Sequence, residues 1–248
     1  MTPVKLTADL IESFAGTFLS PRYDNKVPTA DFHREAWRMY ASDHPQVMCI
    51  APREHAKSTA LTMDYILAEV MFRTSDYVIL VSSTEEFAAE QLGNIAEELR
   101  VNDDLIREFH VTGFEIDSKT DIIVKMADGH RFRILCRGAE QRIRGRLWKG
   151  KRPNLLVVDD AEDDEQVENV DRRRKFSRWF FRAAKQALGR YGKTRVHGTI
   201  LHPDSLLNGL RQNKSWKHLY YKAHEGFDDF SNPLWPENWP EARLRARR

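Results

Sequence analysis

Cysteine is scarce in this sequence: only two of its 248 residues, Cys49 and Cys136, carry a thiol. Both stand in apolar runs typical of strands, and neither belongs to a spacing of Cys and His residues that binds a metal. The two thiols therefore indicate buried side chains in a reducing cytosol rather than a disulfide framework.

Long apolar stretches and targeting signals are also lacking. No run approaches the ~20 apolar residues that span a bilayer, and the N-terminus lacks the apolar region of a signal peptide. We therefore expect no membrane partner. A chain of this length that is 41% hydrophobic and 31% charged can bury a sizeable core, and it suits one large globular domain.

The net charge is only +2, but the charges are distributed in blocks. Residues 131–152 hold nine bases and one acid, residues 159–171 hold eight acids and no base, and residues 172–195 hold ten bases and no acid. A solvated surface is the simplest explanation of any one block, but three consecutive blocks around an apolar strand suggest an anionic polymer or a nucleotide as partner.

The most informative segment is a loop, residues 51–59, between an apolar run, residues 47–50, and a helical pattern, residues 60–72. A strand, a tight loop and a helix that starts with Lys-Ser/Thr form the layout of a phosphate-binding loop, in which the first N–H groups of the helix hold a polyphosphate. Lys57 then reaches the β- and γ-phosphates, and the Ser58 hydroxyl holds Mg²⁺. The residues expected to contact the nucleotide are Pro52, Arg53, Glu54, His55, Ala56, Lys57, Ser58 and Thr59.

Glycine is missing from this loop. The regular pattern G-x-x-x-x-G-K-[ST] has glycines where this chain has Ala51 and Ala56. Alanine is the smallest replacement, but it disfavours positive φ. On their own, these nine residues therefore fit an ordinary strand–loop–helix turn about as well as a nucleotide site.

An acidic cluster follows a strand of four aliphatic side chains, residues 155–158, and contains Asp159, Asp160 and Glu162. In phosphoryl-transfer sites the first acid holds Mg²⁺, and a neighbouring carboxylate activates the attacking water. Asp159 is the expected metal residue. Asp160 and Glu162 compete for the second role, because Asp160 is adjacent but shorter and Glu162 has a direction that depends on the turn. A helix cap is the alternative use of such an acidic run.

Two arginines are candidates for contact with the γ-phosphate. Arg53 lies inside the loop, four residues before Lys57. Arg144 stands beside Gly145 on a basic loop, a position suited to an arginine finger that acts within the chain or from a neighbouring subunit. The alternative for Arg144 is a surface loop that contacts DNA phosphates or water.

Gly198 and Thr199 end another strand-like run, residues 195–200. A threonine hydroxyl close to a nucleotide can sense the γ-phosphate and pass a small shift to the next helix, and the alternative is a plain strand-to-helix turn. His197 and His202 have no third ligand nearby in the sequence, so they do not indicate a metal site.

Strands and helices alternate along the chain, which predicts an α/β fold with a mostly parallel central sheet flanked by helices. The loop and Asp159 both fall at carboxyl ends of strands, where such sheets bind ligands. The expected strands are residues 47–50, 77–82, 121–126, 130–136, 154–159, 195–200 and 216–223. The expected helices are residues 8–19, 29–40, 60–72, 84–100 and 168–188, with a short one capped by Asp204 or Ser205. The expected parts are a helical lead-in (1–46), the ATPase core (47–230) and a proline-rich linker start (231–248).

In this order, these elements resemble the ATPase domain of the large terminase subunit of tailed bacteriophages, the motor that packs DNA into procapsids. The match covers residues 32–239. It rests on residues 52–59, Ile143-Arg144-Gly145, Val158-Asp159-Asp160, Gly198-Thr199 and residues 234–237, which resemble the linker towards that family's nuclease domain. Asp160 stands where the family usually has glutamate, which leaves the catalytic acid open between Asp160 and Glu162.

The resemblance implies a P-loop NTPase fold of the ASCE (RecA-like) class. It also implies an ATPase that uses ATP and Mg²⁺ and translocates double-stranded DNA. It further implies a homo-oligomeric ring on a portal protein, a small terminase subunit as partner, and the cytoplasm of a bacterial host. Nuclease activity is not expected from this chain. The alternatives are a helicase- or recombinase-like DNA-dependent ATPase, and a non-catalytic assembly module with a degenerate loop.

Overall fold

A computed structural model of the protein describes residues 4–24 and 26–247. Its strands are β1 (Gln46–Ile50), β2 (Tyr77–Ser82), β3 (Val111–Asp117), β4 (Asp121–Met126), β5 (Arg131–Gly138), β6 (Leu155–Asp159), β7 (Lys193–Gly198) and β8 (Lys217–Tyr220). They form one sheet in the order β3-β4-β5-β2-β6-β7-β1-β8. Neighbouring strands from β5 to β8 in this order are parallel, and only β3 and β4 add antiparallel pairs. The predicted mostly parallel sheet is confirmed.

Helices connect these strands. They are α1 (Ala8–Phe14), α2 (Asp31–Tyr40), α3 (Tyr65–Met71), α4 (Glu85–Val101), α5 (Asp103–Phe109), α6 (Asp164–Glu168), α7 (Val170–Trp179), α8 (Lys185–Ala187), α9 (Leu206–Gln212) and α10 (Glu241–Ala246). Three π-helical turns extend α1, α3 and α7: Ala15–Leu19, Ser58–Asp64 and Phe180–Ala184. No helix in the described ranges is long and apolar enough to cross a membrane.

The sheet has a hydrophobic core on each face, because side chains alternate along its strands. In β6, Leu155 and Val157 pack into the core beneath α1 to α4, whereas Leu156 and Val158 pack into the core beneath α7 and α9. Every residue of β2 is buried, as expected for a central parallel strand. Cys49 and Cys136 are buried free thiols, as predicted, and burial raises the pKa of each to about 12.

One residue of the basic block 172–195 is buried and stabilises the fold. Arg195 is fully buried, and its guanidinium donates to the carbonyl oxygens of Tyr40 (2.8 Å), Ser42 (2.9 Å) and His44 (2.9 Å). These bonds tie the end of α2 to β7 and thereby fix the chain that enters β1. Arg195 is therefore unavailable to an external anion.

The sequence analysis missed three elements, β3, α5 and α6, and the C-terminal segment has an unexpected position. β3 has mostly exposed residues, so it lacks an apolar pattern, and α5 has only seven residues. The segment 231–247, predicted as the start of a linker, packs against the core. Trp235, Trp239 and Leu244 form a small buried cluster with Phe32 and Ala51.

Candidate nucleotide site

The loop that follows β1 lies at the carboxyl edge of the sheet and leads into the π-helical turn Ser58–Asp64. Its backbone has positive φ at Glu54 (61°) and at Ala56 (52°). Ala56 is the position at which the regular pattern has its second glycine. The loop therefore adopts a sharp turn that glycine would favour, although it contains no glycine.

Lys57 is 5% exposed and stands at the start of that helical turn. Its Nζ donates to the Pro52 carbonyl oxygen (2.9 Å) and to Thr199 Oγ1 (3.1 Å). Burial lowers the pKa of Lys57, and the nearby Asp160 and Asp159 act against that shift. The ammonium is thus held at the base of the loop between the two predicted halves of the site.

Asp159 is buried (2% exposed) and meets the loop directly. Ser58 Oγ donates to one of its carboxylate oxygens (3.0 Å), and Thr62 Oγ1 donates to the other (2.9 Å). His197 Nε2 lies 3.1 Å from Asp159 Oδ1. Burial alone would raise the pKa of Asp159, but His197 and the two hydroxyls outweigh it and hold the pKa below its ordinary value. The carboxylate is therefore ionised.

Asp160 follows with φ of 40°, a left-handed backbone that is uncommon outside glycine. The Thr199 N–H donates to its Oδ1 at 3.2 Å, and its side chain lines a cavity of about 440 Å³ shared with Arg53, Ser58 and Asp159. Loss of hydration raises the pKa of Asp160 and the positive charge of Lys57 lowers it, and the pKa is raised overall. A carboxylate at the cavity with a raised pKa is suited to accept a proton.

The Glu162 carboxylate caps the start of α9. Its two carboxylate oxygens accept hydrogen bonds from the N–H groups of Leu206 (2.7 Å) and Leu207 (3.2 Å), the first residues of α9. This is the helix-cap use of the acidic run that the sequence left open. Glu162 also lines the 440 Å³ cavity, but with both oxygens engaged it is the weaker candidate for water activation, and the geometry favours Asp160.

The two candidate arginines differ in position. Arg53 lines the cavity and forms an exposed ion pair with Asp164, with Nη2 2.9 Å from Oδ2. Arg144 is exposed and does not line this cavity. The structure therefore brings Arg53 into the site of this chain but does not bring Arg144 there.

Gly198 and Thr199 join the loop, Asp160 and α9. Thr199 Oγ1 accepts from Lys57 and donates to the Ala51 carbonyl oxygen (3.1 Å). A Cβ on Gly198 would lie 2.9 Å from Asp160 Oδ1 and 2.8 Å from Leu207 Cδ1. Gly198 is therefore required for the close packing of Asp160 against α9.

The residue types present fit a magnesium ion that is shared with a nucleotide. Mg²⁺ prefers oxygen ligands and is bound through one or two protein groups together with phosphates and water. Ser58 and Asp159 supply a hydroxyl and an ionised carboxylate on the cavity wall. No group of three or more His, Cys, Asp or Glu residues that could hold a metal without a nucleotide was found in the described part of the chain.

Two members of this network were not predicted, Thr62 and His197. Thr62 Oγ1 lies 3.0 Å from His197 Nε2, and Tyr40 OH lies 3.1 Å from His197 Nδ1. The four-residue spacing from Ser58 to Thr62 places both hydroxyls on one helix face, which is a signal that the sequence does contain. The role of His197 depends on the pairing of β6 with β7, which places it opposite Asp159, and no local pattern reveals that.

Solved structures with the same fold include phage packaging proteins. The ATPase domain of the large terminase of Thermus phage P74-26 superposes with a TM-score of 0.60 at 13% identity, over 89% of this chain and 88% of that one. An arginine-to-alanine variant of it gives a TM-score of 0.61 at 12% identity, over 89% and 87%. The large terminase of bacteriophage HK97 gives 0.60 at 16% identity, over 89% of this chain but 45% of that one, so this chain spans about half of it.

No protein-family model matches the sequence, and no curated protein matches it. At such low identities the structural likeness shows the fold. The chain has the fold of large terminase ATPase domains, with a mostly parallel central sheet flanked by helices, which confirms the predicted fold class and the resemblance.

Proposed function

We propose that this chain is the ATP-hydrolysing motor domain of a viral DNA-packaging terminase large subunit, which translocates double-stranded DNA into a procapsid. The observation that carries the proposal is the contact between Ser58 and Asp159, which are 101 residues apart. This contact lies beside a buried lysine and a cavity-lining second acid, Asp160. It occurs in a fold shared with large terminase ATPase domains.

ATP would lie along residues 52–59, with its phosphates in the 440 Å³ cavity. Lys57 Nζ would exchange the Pro52 carbonyl oxygen and Thr199 Oγ1 for phosphate oxygens. Arg53 would leave Asp164 at little cost, because both partners of that pair are well exposed. Two cations then face the triphosphate from one loop.

Ser58 and Asp159 would hold Mg²⁺, which when bound neutralises phosphate charge. Asp160 would orient the attacking water and accept its proton, and the Thr199 N–H holds this carboxylate in place. Glu162 would serve α9 instead.

Gly198 and Thr199 would couple hydrolysis to movement. Thr199 contacts the catalytic lysine and the proposed base, and Gly198 packs between Asp160 and Leu207 of α9. A shift of either charged group on loss of the γ-phosphate would therefore be passed to α9 by direct contact. We assign residues 47–230 to the motor core and residues 1–46 to its helical lead-in.

Duplex DNA would contact a basic stripe, Arg174, Arg178 and Arg182. These residues are four apart, so they lie on one helix face, and they line one surface cavity of about 610 Å³ together with Phe181. In the described residues none of the three forms an ion pair. Such contacts are salt-sensitive and independent of base sequence.

The assembly implied by this function is a homo-oligomeric ring on a portal protein, with a small terminase subunit, in the cytoplasm of the bacterial host. In such a ring, Arg144 would act on the nucleotide of a neighbouring copy. Its exposure on a loop beside Gly145, away from the cavity of its own chain, is what supports that role.

Steady-state ATP hydrolysis of Lys57→Ala against the parent tests the proposal, at high protein concentration so that trans contacts form. Lys214→Ala is the matched control, because Lys214 is an exposed lysine outside the site. We expect a loss of at least ~100-fold for Lys57→Ala and none for the control. Equal, near-zero rates for the parent and Lys57→Ala would instead indicate a binding module. Strand separation on forked DNA would indicate a helicase.

A further inference from the structure

The phosphate loop lacks glycine, yet its carbonyl groups are held in an orderly way. Five consecutive carbonyl oxygens each accept a hydrogen bond from a side chain. The donors are Thr199 Oγ1 for residue 51 (3.1 Å), Lys57 Nζ for 52 (2.9 Å), His55 Nδ1 for 53 (2.9 Å), Trp239 Nε1 for 54 (3.0 Å) and His33 Nε2 for 55 (2.9 Å). Two donors, His33 and Trp239, lie outside the predicted nucleotide site.

The histidine tautomers follow from these partners. Carbonyl oxygens only accept, so His55 carries its proton on Nδ1 and His33 carries its proton on Nε2. The Ala30 N–H donates to His33 Nδ1 (3.3 Å), which agrees with that tautomer. Burial lowers the pKa of His33 to about 4 and also lowers the pKa of His55, so both rings are neutral at pH 7.

Trp239 is held in place by several contacts. Its ring stacks on His55, with ring centroids 5.7 Å apart and an 8° interplanar angle, and it is 3% exposed. The guanidinium of Arg243 lies over it at 4.0 Å from the ring centroid. Arg247 contacts the same ring and forms an ion pair with Glu54 of the loop. The segment 231–247 therefore contacts Glu54 and His55 of the loop through several independent interactions.

The direction of a carbonyl group determines the direction of the next N–H. In a planar trans peptide the two groups point to opposite sides, so the N–H of residue 55 points away from Trp239, and that of residue 56 points away from His33. Phosphate loops bind through such N–H groups. Holding the carbonyl groups of residues 54 and 55 towards Trp239 and His33 keeps the two following N–H groups pointing away from them, an arrangement that glycine-rich loops reach through backbone freedom.

We propose that Trp239 and His33 are positioning residues for phosphate binding, which hold the Glu54 and His55 carbonyl groups so that the loop N–H groups face the triphosphate. The inference rests on the proposed function, because it assumes that this loop binds phosphate. It assigns to the C-terminal segment a direct effect on nucleotide affinity, and by linkage nucleotide binding has an equal effect on that segment.

Trp239→Phe tests the proposal, because phenylalanine keeps an aromatic ring on His55 and removes only the N–H donor. Trp235→Phe is the matched control: Trp235 belongs to the same buried cluster, and its Nε1 donates to the Pro28 carbonyl oxygen (3.0 Å) rather than to the loop. The Kd values of ATP and of inorganic triphosphate are measured for both variants, for the parent and for Lys57→Ala.

We expect Trp239→Phe to raise both Kd values and the KM for ATP about fivefold, with kcat within twofold of the parent, and Trp235→Phe to leave all of them within twofold. Equal affinities for the two tryptophan variants, while Lys57→Ala binds weakly, would overturn the positioning role and leave the proposed function intact. Unchanged binding by Lys57→Ala would overturn the proposed function itself. Equal thermal unfolding midpoints for the two tryptophan variants exclude a difference in folding. Arg247→Ala removes the ion pair with Glu54 and the contact of the guanidinium with the Trp239 ring, so it should also raise both Kd values.

Discussion

Ala51 and Ala56 stand where the regular phosphate-loop pattern has glycines, and the structure predicts opposite outcomes when glycine is restored at each. Ala56 has φ of 52°, and a left-handed backbone costs a residue with a Cβ about 1–2 kcal/mol relative to glycine. Glycine adds ~0.4–1 kcal/mol of chain entropy to the unfolded state. The difference predicts that Ala56→Gly raises the free energy of unfolding by ~0.5–1 kcal/mol.

Ala51 has no such strain, because it is not among the residues with positive φ, and it is 1% exposed within the small cluster beside Phe32. Removal of a buried methyl costs ~0.8 kcal/mol, and the entropy term has the same sign. Ala51→Gly should therefore lower the free energy of unfolding by ~1–2 kcal/mol.

The free energy of unfolding of both variants is measured by urea unfolding followed by circular dichroism. In thermal unfolding, ~1 kcal/mol corresponds to a shift of about 2–4 °C in Tm for a chain of this size. The comparison has internal control, since the two changes are chemically the same. A decrease in stability for Ala56→Gly as large as that for Ala51→Gly would refute the assignment of strain to position 56. If neither glycine substitution changed the free energy of unfolding, both the strain assigned to Ala56 and the packing assigned to the Ala51 methyl group would be refuted.

Three further predictions follow from the same contacts. Asp160→Asn should lower kcat for ATP at least ~100-fold, whereas Glu162→Gln should change kcat less than tenfold and lower stability by ~1–3 kcal/mol through α9; the reverse order of kcat values would make Glu162 the base. Gly198→Ala should cost ~1–3 kcal/mol of stability and lower kcat, because its Cβ overlaps Asp160 and Leu207; wild-type turnover would contradict this. Burial raises the pKa of Asp64 from 3.8 to about 7, so the folded state keeps a proton that the unfolded state releases, and stability falls as pH rises from about 4 to 7. Asp64→Asn should abolish this decrease in the free energy of unfolding, which amounts to at most ~4 kcal/mol between those pH values. Parallel curves of stability against pH for the parent and the variant would exclude the raised pKa of Asp64.

Periodicity and strand-end residues were sufficient to predict most of the fold. Residues 155–158 are all apolar because β6 is covered on both faces, and the acids that follow them mark the carboxyl edge of the sheet. β3 was not predictable in this way, since an edge strand with exposed side chains has no period to detect. The helix starts were clearer where a cap exists, as at Thr84, whose hydroxyl accepts from the Phe87 N–H.

The sequence predicted those residues of the candidate site whose role depends on their position at the end of a strand or in a loop. It did not predict those whose role depends on a contact with a distant part of the chain. Ser58 and Asp159 follow from pattern and spacing. The engagement of Glu162 with α9 depends on the turn after β6, which the sequence left open. His33 and Trp239 lie 22 and 185 residues from the loop carbonyls that they bind, so no local motif could include them.

This last point bears on what the nine residues of the loop can do alone. The shape of the segment is imposed by donors from α2, from the end of β7 and from the C-terminal segment. Transplanted into another protein without those donors, the same nonapeptide should relax into a different turn and lose the shape on which the proposed phosphate binding depends. The unit that would have to be transferred is therefore the loop together with its three donors from elsewhere in the chain, His33, Thr199 and Trp239.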